Sequence, residues 1–133
     1  MSQENVETAR GLFAAFEESD FEKVAPFLHP DLETRPALVG GLEGTTYRGV
    51  DGMRQFWADI DATWAEFRIE PTEFRQVQGG VLVLGRIYAR GRESGIPLEA
   101  SAAWLAGVRD GRLVTFQSFN GQAEALEAAG LEE

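Results

Sequence analysis

The sequence predicts an α+β fold in which helices come first and an antiparallel run of strands follows. Three observations carry this. Apolar residues recur at helical spacing near the start of the chain and again over residues 53–64. From Phe67 onward the period shortens to that of strands and stays there to Phe119. That run is punctuated by Gln78-Gly79-Gly80, by residues 91–95 and by Arg109-Asp110-Gly111, turn sequences of the kind that join antiparallel neighbours. Helices that precede the strands instead of alternating with them give α+β, not a parallel α/β sheet.

Taken in order, Ser2 is placed to cap a first helix, with Glu4 and Glu7 near its positive end. Val6, Ala9, Phe13 and Phe16 form its apolar stripe, widened by Leu12, and Glu17-Glu18-Ser19 end it. Asp20 caps a short second helix over residues 21–28, stopped at His29-Pro30 because a residue before proline is pushed out of the helical region. Residues 31–35 read as a short strand, and 37–47 as a glycine-rich loop of the length used for lids, binding loops or plain connection. Asp51 caps the clearest helix, whose stripe of Met53, Phe56, Trp57, Ile60 and Trp64 lies on one face. Four strands follow, over 67–77, 81–90, 96–108 and 112–119. A last helix over 122–129 ends at Gly130.

The longest hairpin, residues 81–108, has one face of Val81, Val83, Gly85, Ile87 and Ala89 opposite Leu98, Ala100, Ala102, Trp104 and Ala106. This face is expected to point inward, leaving Arg86, Tyr88, Arg90 and Glu99 outside. Its many small residues leave room for a closely packed helix or for a cavity.

Composition narrows the function. A chain of 133 residues with 44% apolar and 26% charged residues is expected to be one globular, soluble domain over residues 1–133, with a core and room for a pocket. No apolar run approaches a membrane span, and the polar start MSQENVETAR predicts no secretory leader. With no cysteine there is no disulfide or thiolate site, which fits a cytoplasmic location. Twenty-two acidic residues against twelve basic ones give a net charge of −10, a poor match for nucleic acid or an anionic membrane. One histidine and no ligand-spaced carboxylates predict no metal site, and no phosphate-cradling or nucleophile motif implies a cofactor.

The order of elements and their punctuation resembles the nuclear transport factor 2-like superfamily, in its SnoaL-like and ketosteroid-isomerase-like branch. The matching pieces are Ala14-Ala15-Phe16-Glu17, the Leu28-His29-Pro30-Asp31-Leu32-Glu33 entry to the first strand, and Tyr47-Arg48-Gly49. Arg109-Asp110-Gly111-Arg112 and the tail from Ala123 to Leu131 complete them. The resemblance implies a cone-shaped, curved antiparallel sheet wrapped around N-terminal helices, in the order α-α-β-α-β-β-β-β-α. It further implies an apolar small-molecule pocket in the cone and a homodimer through the outer sheet face. It does not imply steroid isomerisation. Leu12 stands at that branch's tyrosine, Arg35 near its proton-shuttling aspartate and Trp104 at or beside its second acid. An enzyme of this kind would be a cofactor-independent isomerase, cyclase, lyase or hydrolase. The alternative is a non-catalytic binding or dimerisation module of the same fold.

The candidate site residues follow. Glu33 and Arg35 share one strand face, at positions that face the pocket in the family. There they would serve as acid/base and orienting group; otherwise they are a solvated edge pair. Phe56, Trp57, Trp104 and Phe116 are expected to line the pocket. Tyr47 would reach over its mouth, while Ser118 and Asn120 sit at the wide end, Asn120 either toward a ligand or as a helix cap. His29, the only histidine, fits a turn better than a general base.

Overall fold

A computed structural model describes residues 2–36, 46–78, 80–119 and 122–128. The elements are α1 (Ser2–Glu17), α2 (Phe21–Val24), a 3-10 turn (Ala25–Phe27), β1 (Leu28–Arg35), β2 (Tyr47–Arg48) and α3 (Gly49–Thr63). Then come β3 (Trp64–Val77), β4 (Gly80–Gly91), β5 (Pro97–Arg109), β6 (Arg112–Phe119) and α4 (Gln122–Ala128). This is the expected α+β order with one addition, the two-residue strand β2. The six strands lie in the order β2-β1-β6-β5-β4-β3. All pairings are antiparallel except β1 with β6, which is parallel. Register shifts in β1, β3 and β6 bend the strands, as bulges do, and the open sheet curves.

The helices divide by face. On the inner face, α1 packs against β3, β4 and β5 while α3 packs against β1, β2 and β3. The hairpin places its residues as its pattern predicts. Val81, Val83, Ile87 and Ala89 join Ala102, Trp104 and Ala106 in the core under α1. Trp104 is 1% exposed and meets Phe13 edge-on, with ring centroids 5.4 Å apart. On the outer face, Ala125 and Leu126 of α4 cover Leu82, Leu84, Ala103 and Phe119. Gly85 needs no side chain for a different reason from the one expected. A Cβ there would stand 2.3 Å from the Glu70 carbonyl oxygen, so the space is taken by the backbone of β3 at its bulge.

Several boundaries differ from expectation. The second helix runs only to Val24, then tightens to a 3-10 turn, and Leu28 already belongs to β1. The break comes at Pro26 rather than at His29-Pro30, because Pro26 has no N–H to continue the helical ladder. Asp20 does cap this helix, its side chain accepting the Glu22 N–H at 3.0 Å. Asp51 is not a cap: the N-cap position is Arg48, which makes no side-chain capping bond, and Asp51 lies in the first turn. Trp64 does not close the stripe of α3. It is the first residue of β3, paired with Gly91. The residues proposed as loop 37–47 lie outside the described residues except Thr46 and Tyr47, as does the Gly130 helix stop.

Candidate functional site

A cleft of about 710 Å³ opens between the C-terminal ends of α1 and α3 and the first half of β3. Its apolar wall comes from two directions. Phe16 of α1, Trp57 of α3 and Phe116 of β6 form one group, with Phe16 centred 5.9 Å from Trp57 and 5.7 Å from Phe116. Trp64 and Phe67 at the α3–β3 corner form the other, 6.5 Å apart. Ile60 and Ile69 complete the apolar surface. The periods of the two elements place these groups: Phe56, Trp57 and Ile60 share a helix face, and Phe67 and Ile69 alternate with Arg68 and Glu70 along β3.

The polar residues at the cleft sit at its edge. Glu17 and Asp61 are exposed in the last turns of α1 and α3. Glu66 and Arg68 are on the outer phase of β3, where Glu66 pairs with Arg90 and Arg68 with Glu70, at 3.6 Å for the second pair. The corner is fixed by Arg92 at the β4–β5 turn. Its guanidinium donates to the Asp61 carbonyl at 2.7 and 2.9 Å and to the Trp64 carbonyl at 3.2 Å.

Of the residues singled out from the sequence, Phe56, Trp57 and Phe116 line this cleft. Trp104 and Ser118 do not; both are buried in the sheet's inner layer, paired with each other across β5 and β6. Tyr47 is 8% exposed and does not reach over a mouth. Its ring lies 5.2 Å from Phe56, and its hydroxyl donates to Asp59 Oδ2 at 2.6 Å. Asn120 lies outside the described residues.

Glu33 and Arg35 fall on the other side of the sheet. Thr34, 1% exposed, is the inward residue of β1, opposite Phe116 and Tyr47, so its neighbours in sequence point outward. Glu33 is bridged there by Arg48 and Arg35, each at 2.8 Å, and these hydrogen bonds hold its carboxyl below the usual carboxylate range. Glu33 and Arg35 thus lie on the face of the sheet away from the cleft. His29 lies near the start of β1, not in a turn; its Nδ1 accepts the Asp31 N–H at 2.9 Å, and the Arg109 guanidinium is 3.3 Å from Nε2.

Asp59 carries no sequence signal, because its partner Tyr47 comes from a different element. Gln55 donates to its second oxygen at 2.8 Å. The two donors, Tyr47 first, lower the carboxyl pKa of Asp59. Burial, then this hydrogen bond and the carboxylate charge, push the Tyr47 hydroxyl up to about 12. Thr34 Oγ1 and Trp64 Nε1 are buried with no hydrogen-bond partner among the described residues. Among the described residues no group of three or more acidic or histidine side chains is arranged to hold a metal ion. No described helix is long and apolar enough to cross a membrane.

A curved six-stranded sheet with α1 and α3 on its concave side, and a cleft at their ends, is the nuclear transport factor 2-like architecture. Within it, the SnoaL-like domain model matches residues 9–116, and the chain belongs to that family. No curated protein matches the sequence. Among solved structures, a nuclear transport factor 2-like protein of unknown function from Burkholderia pseudomallei is 27% identical. That alignment covers 95% of this chain and 97% of the other, with a TM-score of 0.78. TerC, co-crystallised with polyporic acid, is 23% identical over 96% of this chain and 98% of its own, with a TM-score of 0.78. A ketosteroid isomerase-like-fold protein from Catenulispora acidiphila, in complex with trimethylamine, is 16% identical over 94% and 93%, with a TM-score of 0.74. At these identities the last two show the fold alone.

Proposed function

We propose that this SnoaL-like domain binds a small, largely apolar organic molecule in the cleft between α1, α3 and β3. The observation that carries the proposal is the wall itself. A cleft of about 710 Å³ lined by Phe16, Phe56, Trp57, Trp64, Phe67 and Phe116 falls within the usual size of ligand sites. That two solved structures of this fold carry small molecules, polyporic acid and trimethylamine, supports the reading for the fold.

Binding is favoured over acid–base catalysis by the placement of the titratable groups. The apolar wall holds none, and the carboxylates that line the cleft, Glu17, Asp61 and Glu66, stand exposed at the edge. No catalytic role is assigned to Glu33 or Arg35, whose ion pairs lie on the opposite face of the sheet.

The three tryptophans test this directly. With 2-naphthol or 1-tetralone as neutral probes, the indole N–H resonances of Trp57 and Trp64 should shift saturably in ¹H–¹⁵N spectra, while that of Trp104 stays in place. Ile60→Trp, which fills the cleft, should abolish the shifts. No saturable shift with either probe, or a response centred on Trp104, would place binding elsewhere or nowhere.

A homodimer through the outer sheet face belongs to the same proposal. Helix α4 covers the Leu82–Leu84 end of that face, so the contact would be made around Tyr88, Arg86 and Glu99.

A further inference from the structure

We propose that the ligand of this cleft carries a positive charge, and that the cleft recognises an organic ammonium group attached to an apolar body. The proposal rests on the cleft being the binding site and goes further by assigning the charge.

Two independent features point the same way. The first is electrostatic. The helices α1 and α3 both end at the cleft, through Phe16 and Glu17 and through Ile60 and Asp61. A helix C-terminus carries a partial negative charge and is stabilised by basic side chains in the last turn. Neither helix has a basic residue there; each has an acidic one instead, Glu17 and Asp61. Acidic side chains at that end add to the negative potential. One of the two is partly offset, since the Arg92 guanidinium binds the Asp61 carbonyl and stands 3.5 Å from its carboxylate. Among the described residues no guanidinium or ammonium is paired with Glu17. The Arg68 guanidinium lies over the ring of Tyr88, 4.4 Å from its centroid, on the outer face of the sheet.

The second feature is the π surface. Aromatic faces attract cations through the ring quadrupole, most strongly for tryptophan. Among the described residues, guanidinium groups lie over Phe74, Phe21 and Tyr88, and none lies over a ring of the cleft. The faces of Trp57 and Trp64 are thus left without a guanidinium over them, in a cleft whose edge carries three carboxylates, Glu17, Asp61 and Glu66, against one guanidinium, Arg68. A neutral apolar ligand would use the rings and leave the acidic edge without a role. An anionic one would be repelled by Glu17, Asp61 and the two helix ends. An organic cation uses all of them.

The test compares benzyltrimethylammonium with neopentylbenzene, its uncharged counterpart of the same shape, on the same full chain by indole N–H shifts and by calorimetry. The cation should bind about tenfold tighter at low salt, the scale of a cation over partly desolvated aromatic rings. That ratio should fall as salt rises from 0.01 M to 1 M and the screening length shrinks from about 30 Å to about 3 Å. Glu17→Gln, at an exposed position, should weaken the cation and leave neopentylbenzene unchanged. If the two bind equally, or neopentylbenzene binds tighter, the charge assignment is wrong and the cleft reading stands. If neither moves the indoles of Trp57 or Trp64, while neutral probes do not either, the cleft reading itself fails and takes this one with it.

Discussion

The hydrogen bond from Tyr47 to Asp59 makes a prediction with two separable parts. The perturbation is Tyr47→Phe, which deletes one oxygen from a residue 8% exposed and leaves the ring against Phe56 in place. At neutral pH the loss is a 2.6 Å bond to a carboxylate that keeps Gln55 as a second donor. The expected cost is about 1.5 kcal/mol, the lower end for a charge-assisted bond. The second part is a pH dependence. Tyr47 is raised from 10.0 to about 12 in the folded chain, by burial first, then by the bond to Asp59 and its charge. A folded value above the free one means the native state favours the protonated phenol. Its contribution is fully present below pH 10 and is lost as pH rises from 10 to about 12. A separation of about two pH units corresponds to about 2.7 kcal/mol, at about 1.36 kcal/mol each. The assay is urea unfolding at pH 7 and at steps from pH 9 to 12, on wild type and Tyr47→Phe. Tyr88 is also raised, by burial and by Glu70 and Glu99, but it is present in both proteins and cancels in their difference. The gap between the two proteins should therefore narrow above pH 10 and reverse sign by about pH 12, since about 2.7 kcal/mol exceeds the cost of about 1.5 kcal/mol at neutral pH. A variant that loses stability across that window as steeply as wild type would refute the argument, whatever its stability at pH 7.

Two further outcomes are expected. Glu33→Gln should leave the probe-induced shifts of Trp57 and Trp64 unchanged, because Glu33 faces away from the cleft with Arg35 and Arg48; loss of binding in that variant would return Glu33 to the site. For the dimer, light scattering of the wild type should give twice the chain mass, and Tyr88→Glu, on the outer face beside Glu70 and Glu99, should give the monomer mass. A wild type that is monomeric at all concentrations would remove the dimer.

Much of the fold is written locally. The faces of the β4–β5 hairpin follow from alternation alone, since a long strand with Val81, Val83 and Ile87 on one side and Arg86, Tyr88 and Arg90 on the other has one sensible orientation. The Asp20 cap is equally local, a side chain and an N–H two residues apart. For β1 the local pattern also held the answer. Leu32 and Thr34 are in phase, and the structure buries both, which leaves Glu33 and Arg35 on the opposite face of the strand.

The sequence by itself determined the class of protein: the helix and strand periods, the turns and the order of elements lead to the SnoaL-like family that the chain belongs to. It also supplied Phe56, Trp57 and Phe116 as wall residues, because their periodic spacing or strand phase places them on a buried face. Only the tertiary structure decided where the cleft opens. That depends on the helix ending at Thr63, so that Trp64 turns into β3 and faces Phe67. It depends equally on Arg92, twenty-eight residues further on, holding that corner. The pairing of Tyr47 with Asp59 and the convergence of two acidic helix ends are of the same kind. Contacts between elements are set by how the sheet curves and where the helices lie on it, and no residue records that in its own neighbourhood.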